Sequence, residues 1–403
     1  MDTPSPDPAE SGRLAYDASL DDPGALTYLS RQQSDGHIAE WDRCVCADEP
    51  ELSPTAPVCD QRLRESRGRD RSISGVKTLG PADIRRSLPM DKAVEAMRTA
   101  FASHAAGRIQ SPPRSVLHTG GKRGATLVMP ASLEFGDPAL AVVKVVSVFP
   151  DNKPQGFRSI HGTLLAIDAS TGVPLALLDG AALTAIRTAA ACGLATDLLA
   201  RRDSRVLAVF GSGVHARTQV RAMRAVRPIE DVRIFNPNLR SAQSMATELS
   251  SDPIPGGYRS VGSAHEALDG ADIACAATTS PVPVFQDAEV PAGIHINAIG
   301  SFHAGDREVP GATVARARLV VDDIESALEE AGDVLMPMAE GLFGEDHIHC
   351  DLGSLVRGLA SGRALDTELT FFKSVGIAAQ DVVATQAVLR EAARLGLGER
   401  IDW

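Results

Sequence analysis

VLAVFGSGVHARTQ, residues 206–219, decides the fold. An apolar run ends at Gly211, Gly213 follows two positions later, and Ala216 falls in the opening turn of a helical pattern. In a dinucleotide-binding turn the first glycine permits the sharp strand-to-helix reversal, and the second lets the backbone approach a pyrophosphate. A small third residue then lets the helix pack close to the strand. The start of the helix adds unpaired N–H groups that favour an anion. Gly211, Gly213, Val214 and His215 are therefore candidate nucleotide contacts, with His215 a phosphate-side contact rather than a catalyst. A glycine trio alone describes an ordinary tight turn equally well, so the flanking pattern has to carry the assignment.

The flanks do carry it. Strand patterns at 206–210, 231–235, 272–277, 294–299 and 317–322 alternate with helical patterns at 214–226, 239–250 and 263–269. That rhythm predicts an α/β fold: a Rossmann-type doubly wound parallel sheet over residues 199–323, with helices on its faces. Residues 76–198 predict the first part of a mixed α/β domain. There Ile84, Leu88, Val94, Met97 and Phe101 have helical spacing up to Gly107. Short strand patterns follow at 113–118, 124–129, 139–149 and 161–168, and an Ala-rich helix at 182–200. Helical patterns at 324–331, 351–360 and 367–393 predict that residues 324–403 return to that first domain, because they are too few to build a core of their own.

Residues 1–72 differ in kind. They hold 15 Asp and Glu against 8 Arg and no Lys, a net −7 out of the −12 of the whole 403-residue chain. With no sustained apolar period, they predict a disordered acidic N-terminal extension. An acidic chain is a poor partner for nucleic acid or for an anionic membrane surface. The apolar stretches at 138–149 and 181–200 are broken by Lys144 and by Arg187 and Asp197, and the N-terminus lacks a basic patch followed by an apolar run. A cytoplasmic protein is expected. Cys44, Cys46 and Cys59 lack a fourth ligand at finger-like spacing, and His347, His349, Cys350 and Asp351 lack partners elsewhere, so no metal is expected.

Two charges stand out because they sit in apolar runs: Lys144 in AVVKVVSV and Arg187 in LTAIRTAA. Burying either is costly unless it is paired or does chemistry. For Lys144 the alternative is a strand-edge lysine reaching solvent; for Arg187 it is a structural ion pair. At the end of the second strand, where an acidic residue would hold a free ribose 2′-hydroxyl, the chain has Asn236, with Arg240 one turn on. That combination favours NADP(H) over NAD(H). The alternative for Arg240 is a solvated helix residue.

The segments AVVKVVSVFPDN, TGVPLALLDGAALTAIRTAAACGLATDLLAR, VFGSGVHARTQ, INAIGSFHAGDREV and LTFFKSVGIAAQDVVA together resemble the ornithine cyclodeaminase and mu-crystallin family over residues 76–395. The resemblance implies a homodimer that moves a hydride at the α-carbon of amino or imino acids through a nicotinamide cofactor. It implies that Arg114, in PPRSV, and Arg187 hold the substrate carboxylate, that Lys144 stands near the reacting nitrogen, and that Thr278, Thr279 and Ser280 line the nucleotide pocket. Guanidinium groups suit the first role, since they grip a carboxylate through paired hydrogen bonds.

One departure bears on the reaction. Cyclodeaminases proper carry an aspartate two residues after the glycine that corresponds to Gly300; here that position is Phe302. A phenyl ring carries no proton, so ornithine cyclisation loses its helper while the hydride step survives. The expectation is therefore reduction of a cyclic ketimine such as a pyrroline- or piperideine-2-carboxylate, or a close amino-acid dehydrogenation. Lys144 would protonate the imine nitrogen and Phe302 would wall the ring. His303 is either a second polar contact or a loop residue facing solvent, and His161 either a ligand contact or a core residue. The rivals are a lyase that releases ammonia and a crystallin-like protein that binds nucleotide without turnover.

Overall fold

The computed structural model describes residues 75–118, 124–136, 138–301 and 303–402. The extension expected over 1–72, with Cys44, Cys46 and Cys59, and also Phe302, lie outside the described residues.

The first sheet takes the strands β1 (Val76–Leu79), β2 (Ile109–Gln110), β3 (Ser115–His118), β4 (Ala125–Leu133), β5 (Leu140–Val148), β6 (Ile160–Asp168) and β7 (Pro174–Asp179). The second takes β8 (Val206–Phe210), β9 (Asp231–Phe235), β10 (Tyr258–Ser260), β11 (Ile273–Ala276), β12 (His295–Ala298), β13 (Arg318–Val321), β14 (Ile348–Asp351) and β15 (Thr370–Lys373). The last strand, β16 (Glu399–Ile401), goes back to the first sheet, whose order is β16-β1-β7-β6-β5-β4-β2 with β3 beside β4.

β5 shows why that sheet forms. Its Val-rich sequence suits a pleated surface, and Leu140, Val142 and Lys144 alternate onto the buried face. Met129 of β4 stands opposite Lys144 on one side and Leu164 of β6 on the other. Lys144 is thus in the middle of the sheet, and the strand-edge alternative falls.

The second sheet has the order β10-β9-β8-β11-β12-β15-β13-β14. Every neighbouring pair in it is parallel. The chain winds outward from β8 to β10 and then restarts at β11 on the other side of β8. At that reversal the connections leave to opposite sides and open a crevice beyond the carboxyl ends of the strands, where α/β sheets bind their ligands.

Two sequence expectations need correction. The pattern at 367–393 is not one helix: Thr370–Lys373 is a strand, and the helix is Ala378–Leu395. A strand buried on both faces has no visible period of two, so its apolar run reads like helix. With β14 and β15 in the parallel sheet, the boundary expected at 323 also moves; the helix Ala378–Leu395 and β16 rejoin the first sheet side, and the short helix Leu352–Val356 packs on the helix Met90–His104.

The helix Gly180–Leu199 links the two sheets in sequence and space. Asp179 caps it by accepting the Ala182 N–H at 2.7 Å. Its length and apolar composition would suit a membrane span, but 78% of that stretch is packed inside the protein, which marks a core helix. It lies beside the helix Val214–Val226, with Gln219 Nε2 donating to Cys192 Sγ at 3.2 Å and Thr196 Oγ1 to Met223 Sδ at 3.2 Å. Both pairs share an offset of 27 residues, so the two helices run parallel and Thr188, next to Arg187, lies level with His215.

Candidate active site

Three elements bring one buried charge cluster together: β5 supplies Lys144, the helix Gly180–Leu199 supplies Arg187, and the first turn of Ala378–Leu395 supplies Asp381. Lys144 Nζ donates to Asp381 Oδ2 at 2.7 Å, and Arg187 Nε donates to Asp381 Oδ1 at 3.1 Å. Arg187 Nη1 donates to Gln380 Oε1 at 2.8 Å, which also accepts the Ile377 N–H at 3.0 Å. Asp381 is fully buried, Lys144 is 1% exposed and Arg187 4%.

Burial strips water from the ammonium and lowers the Lys144 pKa to about 8; Asp381 resists that shift and Arg187 adds to it. For Asp381 burial favours the neutral acid, but Lys144 and Arg187 outweigh it and hold the carboxyl below its usual range. The result is an anion fixed between two cations, one of which releases its proton at about pH 8.

The segment between β15 and the terminal helix closes over this cluster. Asp322, at the end of β13, accepts the Ser374 hydroxyl at 2.8 Å and the Val375 and Gly376 N–H groups at 2.9 and 2.6 Å. From the other side Arg114 donates to the Gly376 carbonyl at 2.6 Å and pairs with Glu330 at 3.0 Å. Arg187 packs against the same glycine: a Cβ there would stand 2.5 Å from its Nη1. Arg114 and Arg187 therefore flank one short segment, and the Lys144 ammonium senses the charge of both arginines.

The glycine turn borders the cluster. Gly211 has φ +102°, and a Cβ on it would strike the Ala277 carbonyl at 2.5 Å, so a side chain is excluded twice over. A Cβ at Gly213, which caps the helix Val214–Val226, would meet nothing within 4 Å. Open space over a glycine at a helix start is the cradle a pyrophosphate requires, so these residues fit a dinucleotide. His215 lies in the first turn, where burial and the Arg187 charge bring its pKa down to about 4 and keep the imidazole neutral. At the end of β9, Asn236 Nδ2 donates to Ser212 Oγ at 2.9 Å and its Oδ1 accepts the Asn238 N–H at 2.8 Å. Arg240 is exposed in the first turn of the helix Leu239–Leu249 and has no ion-pair partner among the described residues.

Fold and site together define a nicotinamide-dependent oxidoreductase: a sheet of dinucleotide-binding order ends beside a sealed lysine and a pair of arginines. The chain belongs to the ornithine cyclodeaminase/mu-crystallin family, whose model matches residues 78–395. It is similar to a Delta(1)-pyrroline-2-carboxylate reductase of Bacillus cereus, 38% identical over 320 residues that cover 79% of this chain and 97% of the relative. A solved Delta(1)-pyrroline-2-carboxylate reductase of Thermococcus litoralis, in complex with NADH and L-proline, superposes with a TM-score of 0.77 at 37% identity, covering 81% of this chain and 100% of that one. An archaeal alanine dehydrogenase dimer with bound NAD superposes at 0.75 with 31% identity, covering 81% and 99% of the two chains.

The remaining candidates divide between the glycine turn and the surface. Thr278 meets the glycine turn and Thr279 is exposed beside it. His161 is exposed and hydrogen-bonded to the Arg158 carbonyl at 3.0 Å, away from any core. His303 is exposed. His347 bonds the Val314 carbonyl at 2.9 Å and Asp351 caps the helix Leu352–Val356; among the described residues no group of three His, Cys, Asp or Glu could hold a metal ion. Sequence reasoning missed Asp381, Gln380 and Asp322. Asp381 carried the same signal as Lys144, a charge inside the apolar run AAQDVVATQAV.

Proposed function

We propose that this chain reduces a cyclic imine bearing a carboxylate, of the pyrroline- or piperideine-2-carboxylate kind, to the cyclic amino acid; oxidation of a related amino acid is the same chemistry reversed. The observation that carries the proposal is the buried Lys144–Asp381–Arg187 cluster beside the glycine turn. A bound dinucleotide supplies the hydride that reaches the α-carbon.

The chain's own groups supply the rest. Arg187 and Arg114 attract the substrate carboxylate and orient the C=N bond. Lys144, with a pKa of about 8, holds its proton at neutral pH and can hand it to the imine nitrogen, which makes the adjoining carbon a better hydride acceptor. Asp381 stays ionised and fixes the ammonium in place. The site is sealed enough to keep bulk water from the imine, since Lys144 and Asp381 are almost wholly buried.

The same proposal extends to NADP(H). Asn236 leaves no carboxylate at the ribose position, and Arg240 is exposed one turn away, where a 2′-phosphate can meet it. It extends also to a homodimer, supported by the relative described as a dimer. Leu117 of β3 and Val145 of β5 are exposed, and the strand register puts them on one face of the first sheet. A cytoplasmic location fits Cys192, Cys275 and Cys350, which are free and buried among the described residues.

Purified protein mixed with reduced dinucleotide and a panel of cyclic imine carboxylates tests the reaction. Nucleotide oxidation with at least one of them is expected. No oxidation, together with ammonia and proline from ornithine, would establish the lyase; nucleotide binding with neither reaction would leave a binding protein.

A further inference from the structure

Glu308 takes no part in the charge cluster, yet it is fully buried where the strands of the second sheet end. One carboxylate oxygen accepts the Thr278 N–H at 2.6 Å and the Thr278 hydroxyl at 2.7 Å; the other accepts the Gly300 N–H at 2.5 Å. Thr278 follows β11 and Gly300 follows β12, so one side chain spans the ends of two adjacent strands. Thr278 also reaches the nucleotide turn, because a Cβ on Gly211 would stand 3.4 Å from its methyl carbon. Gly300 has to be glycine: a Cβ would lie 2.2 Å from the Thr278 carbonyl oxygen and 2.5 Å from the Glu308 carboxyl carbon.

A second acid braces the first. Asp333, in the helix Gly332–Ala339, accepts the Glu308 and Val309 N–H groups at 2.7 and 2.9 Å. Its other oxygen accepts Lys373 Nζ at 2.9 Å and the Ser301 hydroxyl, and Lys373 also donates to Ser301 at 2.8 Å. Gly300 and Ser301 are thus both pinned. Two carboxylates and an ammonium cost more to bury than apolar side chains that would hold these strands equally well. What charged acceptors add is a fixed place for particular N–H groups.

We propose that Glu308 is a positioning residue for hydride transfer: its carboxylate sets the spacing between the Thr278 and Gly300 segments that border the switch-point crevice, and through it the seat of the nicotinamide half of the dinucleotide. The reaction side of this inference rests on the reductase proposal; the dinucleotide side does not. Glu308→Gln keeps the shape and one acceptor oxygen but turns an N–H donor toward an N–H donor.

The test follows the emission of bound reduced dinucleotide and single-turnover transfer from its 4-deuterated form. The expected result for Glu308→Gln is a dinucleotide Kd within about fivefold of wild type, a shortened nicotinamide emission lifetime, and hydride transfer slowed by at least about thirtyfold with a larger isotope effect. Thr278→Val removes a single donor and should give the same changes at smaller size with the melting temperature kept; it replaces the glutamine variant if that does not fold. Folded variants that transfer hydride within about threefold of wild type, with emission and isotope effect unchanged, would overturn the proposal and leave Glu308 a purely structural brace. Should wild type reduce no cyclic imine, the reductase proposal fails and the emission measurement still decides the role of Glu308.

Discussion

Lys144 and Arg187 share one carboxylate, and that sharing sets their chemistry. In the proposed imine reduction Lys144 gives up its proton, so kcat/KM is expected to be level below pH 8 and to fall about tenfold per unit above it, where the ammonium with pKa about 8 is lost. Amino-acid oxidation uses the free amine and should rise across the same interval. Lys144→Gln removes the alkaline limb and lowers the rate by about 10²–10⁴; initial-rate pH profiles in both directions check this. Asp381→Asn takes away the anion that raises the Lys144 pKa, so the limb should move to lower pH. The same change strands two buried cations and should destabilise the fold by about 3–5 kcal/mol, measured by urea unfolding. At this scale the sequence was half legible. A lysine within AVVKVVSV and an arginine within LTAIRTAA announce themselves, since buried charges need partners. Which partner they find depends on long-range folding: Asp381 is 237 positions from Lys144.

The segment 374–377 shows the same limit among elements. It hangs from Asp322 by three hydrogen bonds and rests on Arg114. Asp322→Ala leaves those donors unpaired at about 1–3 kcal/mol each and frees the segment over Arg187. The expected outcome is a KM for the imine raised by about tenfold with dinucleotide affinity unchanged, read from steady-state kinetics and a binding titration. The strands of the nucleotide half were legible because Gly211 and alternating turns punctuate them. β14 and β15 were not: β15 is buried on both faces and carries no alternation, β14 is a four-residue edge strand, and both enter the sheet between or beyond earlier strands from far along the sequence.

For the whole molecule, the parallel offset of the helices Gly180–Leu199 and Val214–Val226 puts Arg187 level with the glycine turn. A dimer built on the outer face of the first sheet predicts a two-chain mass in sedimentation velocity, and Val145→Asp should shift it toward one chain. A preference for NADP(H) predicts that Arg240→Ala weakens NADPH by about tenfold, the size of one charge-assisted hydrogen bond, and leaves NADH unaffected in titrations of both.

In the proposed reaction a hydride passes from the reduced nicotinamide to a carbon held between the arginines and Lys144. The direct measurement is the fate of deuterium from the 4-position of the reduced dinucleotide, followed by NMR with a cyclic imine carboxylate as substrate. The expected result is one deuterium on the α-carbon of the cyclic amino acid, with Lys144→Gln forming that product far more slowly. A product free of deuterium, or label exchanged without net reduction while ornithine loses ammonia, would contradict it.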